Sequence, residues 1–149
     1  MVKKIFISLI LISLGQFVLA QELPVKVYTP TKITTSNRNL KEGDELKFMV
    51  GQDIYLNSKT YIKKNTIVTG VITSMENNDF ECKEASIYAE SFRVKNIDGK
   101  SLKLKGFIYE KGRNHWMFTQ IIPGLDFFIR GGEVQIKPKS IFELQLEVS

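Results

Sequence analysis

The sequence predicts an all-β protein: a small curled β-sandwich or partly open β-barrel of about eight to ten short strands, preceded by an N-terminal signal peptide helix. Three observations predict this fold class. Apolar and polar residues alternate with period two along most of the chain after Ala20. Helical periodicity is nearly absent there. Clusters of Gly, Asn, Asp and Ser separate the alternating segments, as turns between strands do.

Residues 1–20 have the features of an export signal. Lys3 and Lys4 precede an apolar run over residues 5–14, and residues 18–20 place small side chains before a cleavage point. This run of about ten residues is shorter than the roughly 20 that span a bilayer. We therefore expect cleavage after about Ala20, a periplasmic or secreted bacterial protein, and no transmembrane span in the mature chain.

The charge of the chain is mild and dispersed. The sequence has 21 Lys and Arg against 16 Asp and Glu, a net charge of +5. Cleavage of the signal would remove two lysines and no acidic residue, which lowers the net charge to about +3. The basic residues are scattered, for example at Lys41, Lys83 and Lys137. Such scatter is typical of a solvated surface and predicts that nucleic acid is not a partner.

The chain has one cysteine, Cys82, and one histidine, His115. A lone cysteine excludes an internal disulfide, so the core alone must stabilise the domain. Neither a Cys–His pair at adjacent positions nor a His-rich metal site is evident. We expect Cys82 to be packed or half-buried, with pairing between chains as the alternative.

Residues 21–40 are predicted to form an extended N-terminal arm or an edge strand. Pro24 and Pro30 interrupt this segment, and proline lacks the amide hydrogen that a central strand donates. The barrel-like domain is then predicted to cover residues 41–149.

An alternating segment opens the barrel-like domain. Leu46, Phe48 and Val50 are separated by Lys47 and Met49, which predicts a half-buried strand. Ile54 and Leu56 are expected to continue this strand after a bulge or bend at Gly51.

Residues 61–73 form the clearest local unit. The pattern predicts a short strand that ends at Ile62, a turn over residues 63–65 and a β-branched strand over residues 66–73. After glycine, Asn65 is the residue best suited to the left-handed conformation that such a turn needs.

A weak internal echo links this unit to the end of the chain. The segment from Tyr61 to Ile67 shares Ile, Lys, a hydroxyl residue and Ile with the segment from Gln135 to Ile141. Because the flanking residues differ and the period occurs once, shared turn chemistry explains the echo better than duplication.

The strongest predicted hairpin lies in the middle of the domain. Residues 85–97 and 101–109 flank Asp98-Gly99, a pair favoured in two-residue type I′ turns. The apolar parity shifts within the first of these strands, which predicts a β-bulge around Glu90–Ser91.

The C-terminal third is the most apolar part of the chain outside the signal. Residues 116–118 and 121–122 form its apolar patch. Residues 127–129, 134–136 and 141–148 are predicted as three last short strands. In the final one apolar and polar residues alternate, which predicts one face exposed to solvent.

Three segments resemble a pattern of exported bacterial β-domains. Residues 43–48, 53–57 and 62–71 follow "GD-x-φ-x-F … D-φ … I-P-K-G-T-x-φ-x-G-φ", with φ apolar, and Asp98-Gly99 falls where the pattern places a hairpin. The pattern is similar to the β-barrel domain of periplasmic scaffold proteins in conjugation-type secretion systems. The chain departs from it at Lys64-Asn65 and lacks the Pro-rich periplasmic linker. The resemblance implies a curled β-domain and assigns no catalytic or binding residue.

Carboxylates are the remaining candidates for chemistry. Asp44, Asp53, Asp79, Glu81 and Glu84 lie in predicted turns or on outward strand positions, where solvated side chains are expected. We therefore predict no enzyme activity, no catalytic, cofactor-binding or metal-binding residue, and no cofactor. The alternative is a periplasmic hydrolase or a carbohydrate-binding accessory module, which convergence of Asp53, Asp79 or Glu81 in one pocket would favour.

The predicted function is an exported, non-catalytic envelope β-domain that serves as a protein-interaction or structural module. Its possible interaction patch consists of five apolar residues: Trp116, Phe118, Ile121, Phe127 and Phe128. The sheet edge near the termini is expected to belong to the same contact. If these residues belong to the core instead, they would cover an open end of the barrel. The expected partner is another envelope protein or a cell-surface component, and the sequence leaves the oligomeric state open.

Overall fold

A computed structural model describes residues 21–36, 40–80, 83–113 and 130–148. These ranges contain eleven strands and no helix. None of their elements is a helix long and apolar enough to cross a membrane. Residues 1–20, predicted as the signal peptide helix, lie outside the described ranges. The strands are β1 (Gln21–Tyr28), β2 (Ile33–Thr34), β3 (Glu45–Val50), β4 (Ile54–Leu56), β5 (Lys59–Ile62), β6 (Ile67–Glu76), β7 (Ser86–Lys95), β8 (Ser101–Lys105), β9 (Ile108–Lys111), β10 (Gln135–Ile136) and β11 (Ile141–Val148).

Six strands close an antiparallel barrel in the order β6-β3-β1-β11-β8-β7, and β7 returns to β6. Among these six strands, each pairs with the barrel strand that follows it in the chain, and the last, β11, pairs with the first, β1. The barrel is therefore of the up-and-down kind. β9 adds an extra strand to β7, and β2–β10 and β4–β5 form two small separate sheets. The segment 21–40 thus contributes a barrel strand, because β1 pairs with β11 along its whole length.

The apolar side chains at alternate positions of the strands point inward and fill the barrel interior. The inward faces bury a continuous core of Val, Leu, Ile and Phe side chains. At its centre Phe48 meets Phe92 and Phe142 edge to face, with ring centroids 5.8 Å and 6.0 Å apart. The predicted strands 46–50 and 141–148 are confirmed as β3 and β11. Residues 54–56 do not continue β3; they turn away and pair with β5.

The predicted bulge on β7 is confirmed. Thr69 pairs with Arg93 and Val71 with Glu90, so one more residue lies on β7 than on β6 between these pairs. Ser91 has a positive φ of 58° at this point. The extra residue explains the parity shift in the sequence, since it lets the apolar residues on both sides of it face the core.

The turn between β7 and β8 differs from the predicted type I′ turn. Gly99 has a φ of 80°, its N–H donates to the Asn96 carbonyl (3.0 Å), and the Asn96 N–H donates to the Lys100 carbonyl (3.0 Å). This is a type I turn followed by a left-handed glycine. The buried Asn96 side chain explains the wider loop, because its Oδ1 accepts the backbone N–H groups of Asp98 (3.1 Å) and Lys100 (2.8 Å).

The β4–β5 hairpin gives a first stability prediction. Its two turn residues, Asn57 and Ser58, have φ values of 49° and 62°, which define a type I′ turn. Ser58→Gly removes the left-handed strain at the second position and is expected to stabilise the protein by about 0.5–1 kcal/mol. Urea unfolding measures the gain as a higher midpoint with an unchanged slope. The matched control is Ser101→Gly in β8, which should lower stability; a loss with Ser58→Gly would contradict the turn assignment.

Candidate functional site

The chain makes the same turn at residues 63–66 and 137–140, called here the first and second corner, and also at residues 41–44, which precede β3. In each corner the fourth residue donates its N–H to the carbonyl of the first, at 3.2 Å in both. The third residue has a left-handed φ, 64° at Asn65 and 66° at Lys139. An exposed isoleucine follows each corner at the start of the next strand, Ile67 in β6 and Ile141 in β11. The sequence echo thus corresponds to a turn geometry that the two corners share.

The two corners are also attached to the barrel in the same way. Asn65 donates its N–H to the Val50 carbonyl (2.8 Å), and Val50 donates its own to Thr66 (2.9 Å). In the second corner Lys139 donates its N–H to the Thr29 carbonyl (2.8 Å), and Thr29 donates its N–H to the Ser140 carbonyl (3.1 Å). Since β1 and β3 are antiparallel and Tyr28 lies opposite Met49, an approximate twofold axis through this pair relates the corners. The corners therefore stand on either side of the outer face of β1 and β3.

Four outward apolar side chains form a row across the barrel wall between the corners. Ile67 pairs with Met49, Met49 with Tyr28, and Tyr28 with Ile141, on the adjacent strands β6, β3, β1 and β11. At a strand spacing of about 4.8 Å this apolar row spans about 14 Å. Ile67 is 54% and Ile141 69% exposed, whereas Met49 and Tyr28 are half-buried. The row is therefore an apolar stripe open to solvent at both ends.

Tyr28 is held in place at the centre of the row. Its hydroxyl donates a hydrogen bond of 2.7 Å to Asn65 Oδ1 and lies 3.3 Å from the sulfur of Met49. The first corner thus fixes the ring position without the cost of ordering it on binding.

A groove of about 570 Å³ lies over β1 between the two corners. We call it the corner groove. Three lysines and no acidic residue line it. Because the charged residues of the lining are all lysines, the groove favours a ligand with negative groups. The lining residues are Lys26, Val27, Tyr28, Gly51, Gln52, Lys64, Asn65, Lys139 and Ile141.

Two of the carboxylates considered for catalysis, Asp53 and Asp79, support different parts of the backbone. Asp53 supports the first corner, since its Oδ1 accepts the Lys64 N–H at 2.7 Å. Asp79 lies in the β6–β7 connection, where its Oδ1 accepts the N–H of Phe80 at 2.8 Å. Neither Asp53 nor Asp79 lines any of the three main cavities of the described residues. Glu81 lies outside the described residues. Within the described ranges no three His, Cys, Asp or Glu side chains are grouped to hold a metal ion.

The five residues of the predicted interaction patch, from Trp116 to Phe128, lie outside the described residues, as do Cys82 and His115. The described chain on either side of 114–129 is joined, because Gly132 donates its N–H to the Arg113 carbonyl at 3.0 Å. Both flanks of this segment therefore leave the barrel at one place, next to the start of β7.

A second exposed apolar surface lies on β7 and β9. Phe107 is 62% exposed and stacks on Tyr88, with ring centroids 5.5 Å apart, and Tyr109 lies opposite Tyr88 across the ladder.

Two ion-paired lysines lie on β8 and β9. Hydrogen bonding to Glu147, with the charge of that carboxylate, raises the pKa of Lys105, and the same contacts with Glu84 raise the pKa of Lys111.

The fold and the site define a small closed β-barrel with a basic, partly apolar groove on its outer wall. Comparison with protein-family models gives no match, and no curated protein sequence is significantly similar to the chain. The groove itself was not predicted. Its one signal in the sequence was the echo between residues 61–67 and 135–141, which marks the two corners that form its walls.

Proposed function

We propose that this chain is an exported, non-catalytic envelope β-domain that binds another envelope protein or cell-surface component. The contact surface is the corner groove together with the apolar row. The observation that carries the proposal is the row itself, in which four apolar side chains adjoin one another on an outer wall.

The composition of the outer face of β8 and β11 supports this assignment. Outward positions of β8 and β11 carry Lys103, Lys105, Glu143 and Glu147, which are exposed and charged. Isolated exposed apolar residues are ordinary on protein surfaces, but a contiguous stripe beside a cavity is typical of a partner site. Burying one of the exposed isoleucines against a partner would contribute about 1.5–3 kcal/mol.

The rigidity of the groove supports the same function. Both walls are corners tied to strand ends by paired backbone hydrogen bonds, and the floor belongs to β1. A preformed surface loses little conformational freedom when a partner binds, so more of its contact energy appears as affinity.

The hydrolase and carbohydrate-binding alternatives lack such support. They call for carboxylates that converge in one pocket, whereas neither Asp53 nor Asp79 lines any of the three main cavities of the described ranges. The resemblance to the β-barrel domain of secretion scaffolds is compatible with an interaction module, and it supplies no residue for the contact.

Photo-crosslinking in intact cells tests the proposal. A photoreactive amino acid at Ile67 or Ile141 is expected to yield adducts with a partner, whereas the same probe at Ile97, 52% exposed outside the groove, is not. Ile141→Asp, with the fold intact by circular dichroism, should lower partner recovery at least about ten-fold, since an apolar contact is replaced by a charge. Ile97→Asp is the matched control. A probe at Trp116 tests the predicted patch separately. Adducts at Trp116 alone, with none at Ile67 or Ile141, would contradict the corner groove as the contact surface.

A further inference from the structure

We infer that the occupant of the corner groove is an extended polypeptide segment of about five residues, apolar at alternate positions and flanked by Asp or Glu. This inference rests on the proposed function, because it names the partner of the same surface. It is carried by three features: the charge of the groove, the length of the adjoining apolar row and the position of the lysines.

The charge of the groove selects a negative ligand. Lys26, Lys64 and Lys139 line it; Lys26 lies opposite the exposed Glu143 of β11, whereas Lys64 and Lys139 belong to the corners. Asp53, close to the first corner, directs its Oδ1 to the backbone N–H of Lys64. Among the described residues no acidic side chain forms an ion pair with Lys64, so its ammonium group can meet a ligand carboxylate, and like charges would oppose docking of the same face of a second copy.

The length of the apolar row selects an extended chain. The row spans about 14 Å, and five extended residues cover about 13 Å at 3.3 Å per step. In an extended segment every second side chain points to the same side, so three alternate apolar residues can face Ile67, Tyr28 and Ile141 together. The row crosses the strands of the barrel wall, so recognition uses side chains and not strand addition at a sheet edge.

The lysines stand where the ends of such a segment would lie. Lys64 belongs to the first corner and Lys139 to the second, on opposite walls of the groove. A carboxylate on either side of the apolar residues would meet one of these ammonium groups. Electrostatic pairing at both ends fixes the position and favours the acidic sequence over neutral ones.

Selection from a displayed library of random nonapeptides tests the inference on the purified mature chain. Wild-type protein is expected to enrich peptides with alternate apolar residues and flanking Asp or Glu. Lys64→Glu/Lys139→Glu should reverse the preference to flanking Lys or Arg and weaken the best acidic peptide at least about ten-fold. Lys64→Gln/Lys139→Gln should weaken that peptide without reversal. Lys103→Glu, on β8 away from the groove, is the matched control and should change neither result.

Other results overturn the inference. Enrichment of basic or uncharged peptides, or an acidic preference that survives the double reversal, contradicts the assigned occupant. So does binding to vesicles of an anionic phospholipid without peptide enrichment, which would make the groove a membrane contact. If peptides are not enriched but the probe at Ile141 still yields a protein adduct in cells, the proposed function stands and only the occupant is wrong. If both fail, the proposed function fails too.

Discussion

Replacing Gly70 with alanine is expected to destabilise the barrel by about 3 kcal/mol, the upper end of the usual cost of overpacking. A Cβ at this position would overlap the Phe92 ring, at Cε1 and Cδ1. Phe92 is fully buried and packs edge to face on Phe48, so a shift of the ring would disturb the packing of the core. The β7 bulge at Ser91 turns Phe92 inward onto Gly70, and the two features depend on each other.

Urea and thermal unfolding measure this effect, which corresponds to a fall of about 10 °C in the melting temperature. Gly51→Ala is the matched control, since a Cβ at Gly51 would come no closer than 3.3 Å to the Lys26 carbonyl oxygen. Shortening the ring by Phe92→Leu should relieve the overlap, so that Gly70→Ala costs at least about 1 kcal/mol less in that background. A cost below about 1 kcal/mol in the wild-type background would show that the core accommodates the methyl group.

The barrel strands could be predicted where one face of a strand is buried and the other is solvated. β3 and β11 alternate strictly, and the structure confirms both. The bulge at Ser91 could be predicted for the same reason, because a change in parity has few other causes. The small β2–β10 sheet pairs residues about a hundred positions apart in the chain, and alternation carries no information about such pairing.

The errors have local physical causes. At the β7–β8 turn, the Asn96 side chain supplies two hydrogen bonds to the backbone that Asp98-Gly99 alone did not indicate. Pro24 indicated an arm or edge strand, yet β1 is part of the closed wall. The Lys26 carbonyl accepts the Gly51 N–H on the β3 side, and the backbone direction alternates, so the nitrogen of Pro24 faces that side as well. The β1–β3 ladder covers only Val27 and Tyr28, and the missing amide therefore costs no ladder bond.

The corner groove could not be predicted because its parts are distant in sequence. Its walls lie more than seventy residues apart, at Lys64 and Lys139. The exposed isoleucines of the apolar row occupy the first positions of β6 and β11, where the sequence pattern does not distinguish them from other strand residues. Only the register of four strands brings them into one row.

Replacing Phe48 with alanine is expected to cost about 3–5 kcal/mol, a large part of the 5–15 kcal/mol that stabilises a typical domain. Phe48 is fully buried and packs against Phe92 and Phe142. It lies in β3 next to the β1–β3 seam, where the two strands are joined by only two residue pairs. The cavity would open beneath that seam. Urea unfolding measures the loss, and Phe48→Leu should cost much less because it keeps most of the buried volume.

The same substitution connects the core to the groove. Met49, the neighbour of Phe48 in β3, lies opposite Tyr28 on the outer face, and Tyr28 is anchored to the first corner. Loosening the seam should therefore raise amide hydrogen exchange at Val50 and Asn65, which join β3 to this corner, more than at Thr29 and Lys139, which join β1 to the second. Phe48→Leu should leave both pairs protected. Equal loosening of the two corners in Phe48→Ala would show that the groove owes its shape to global stability and not to the packing of Phe48.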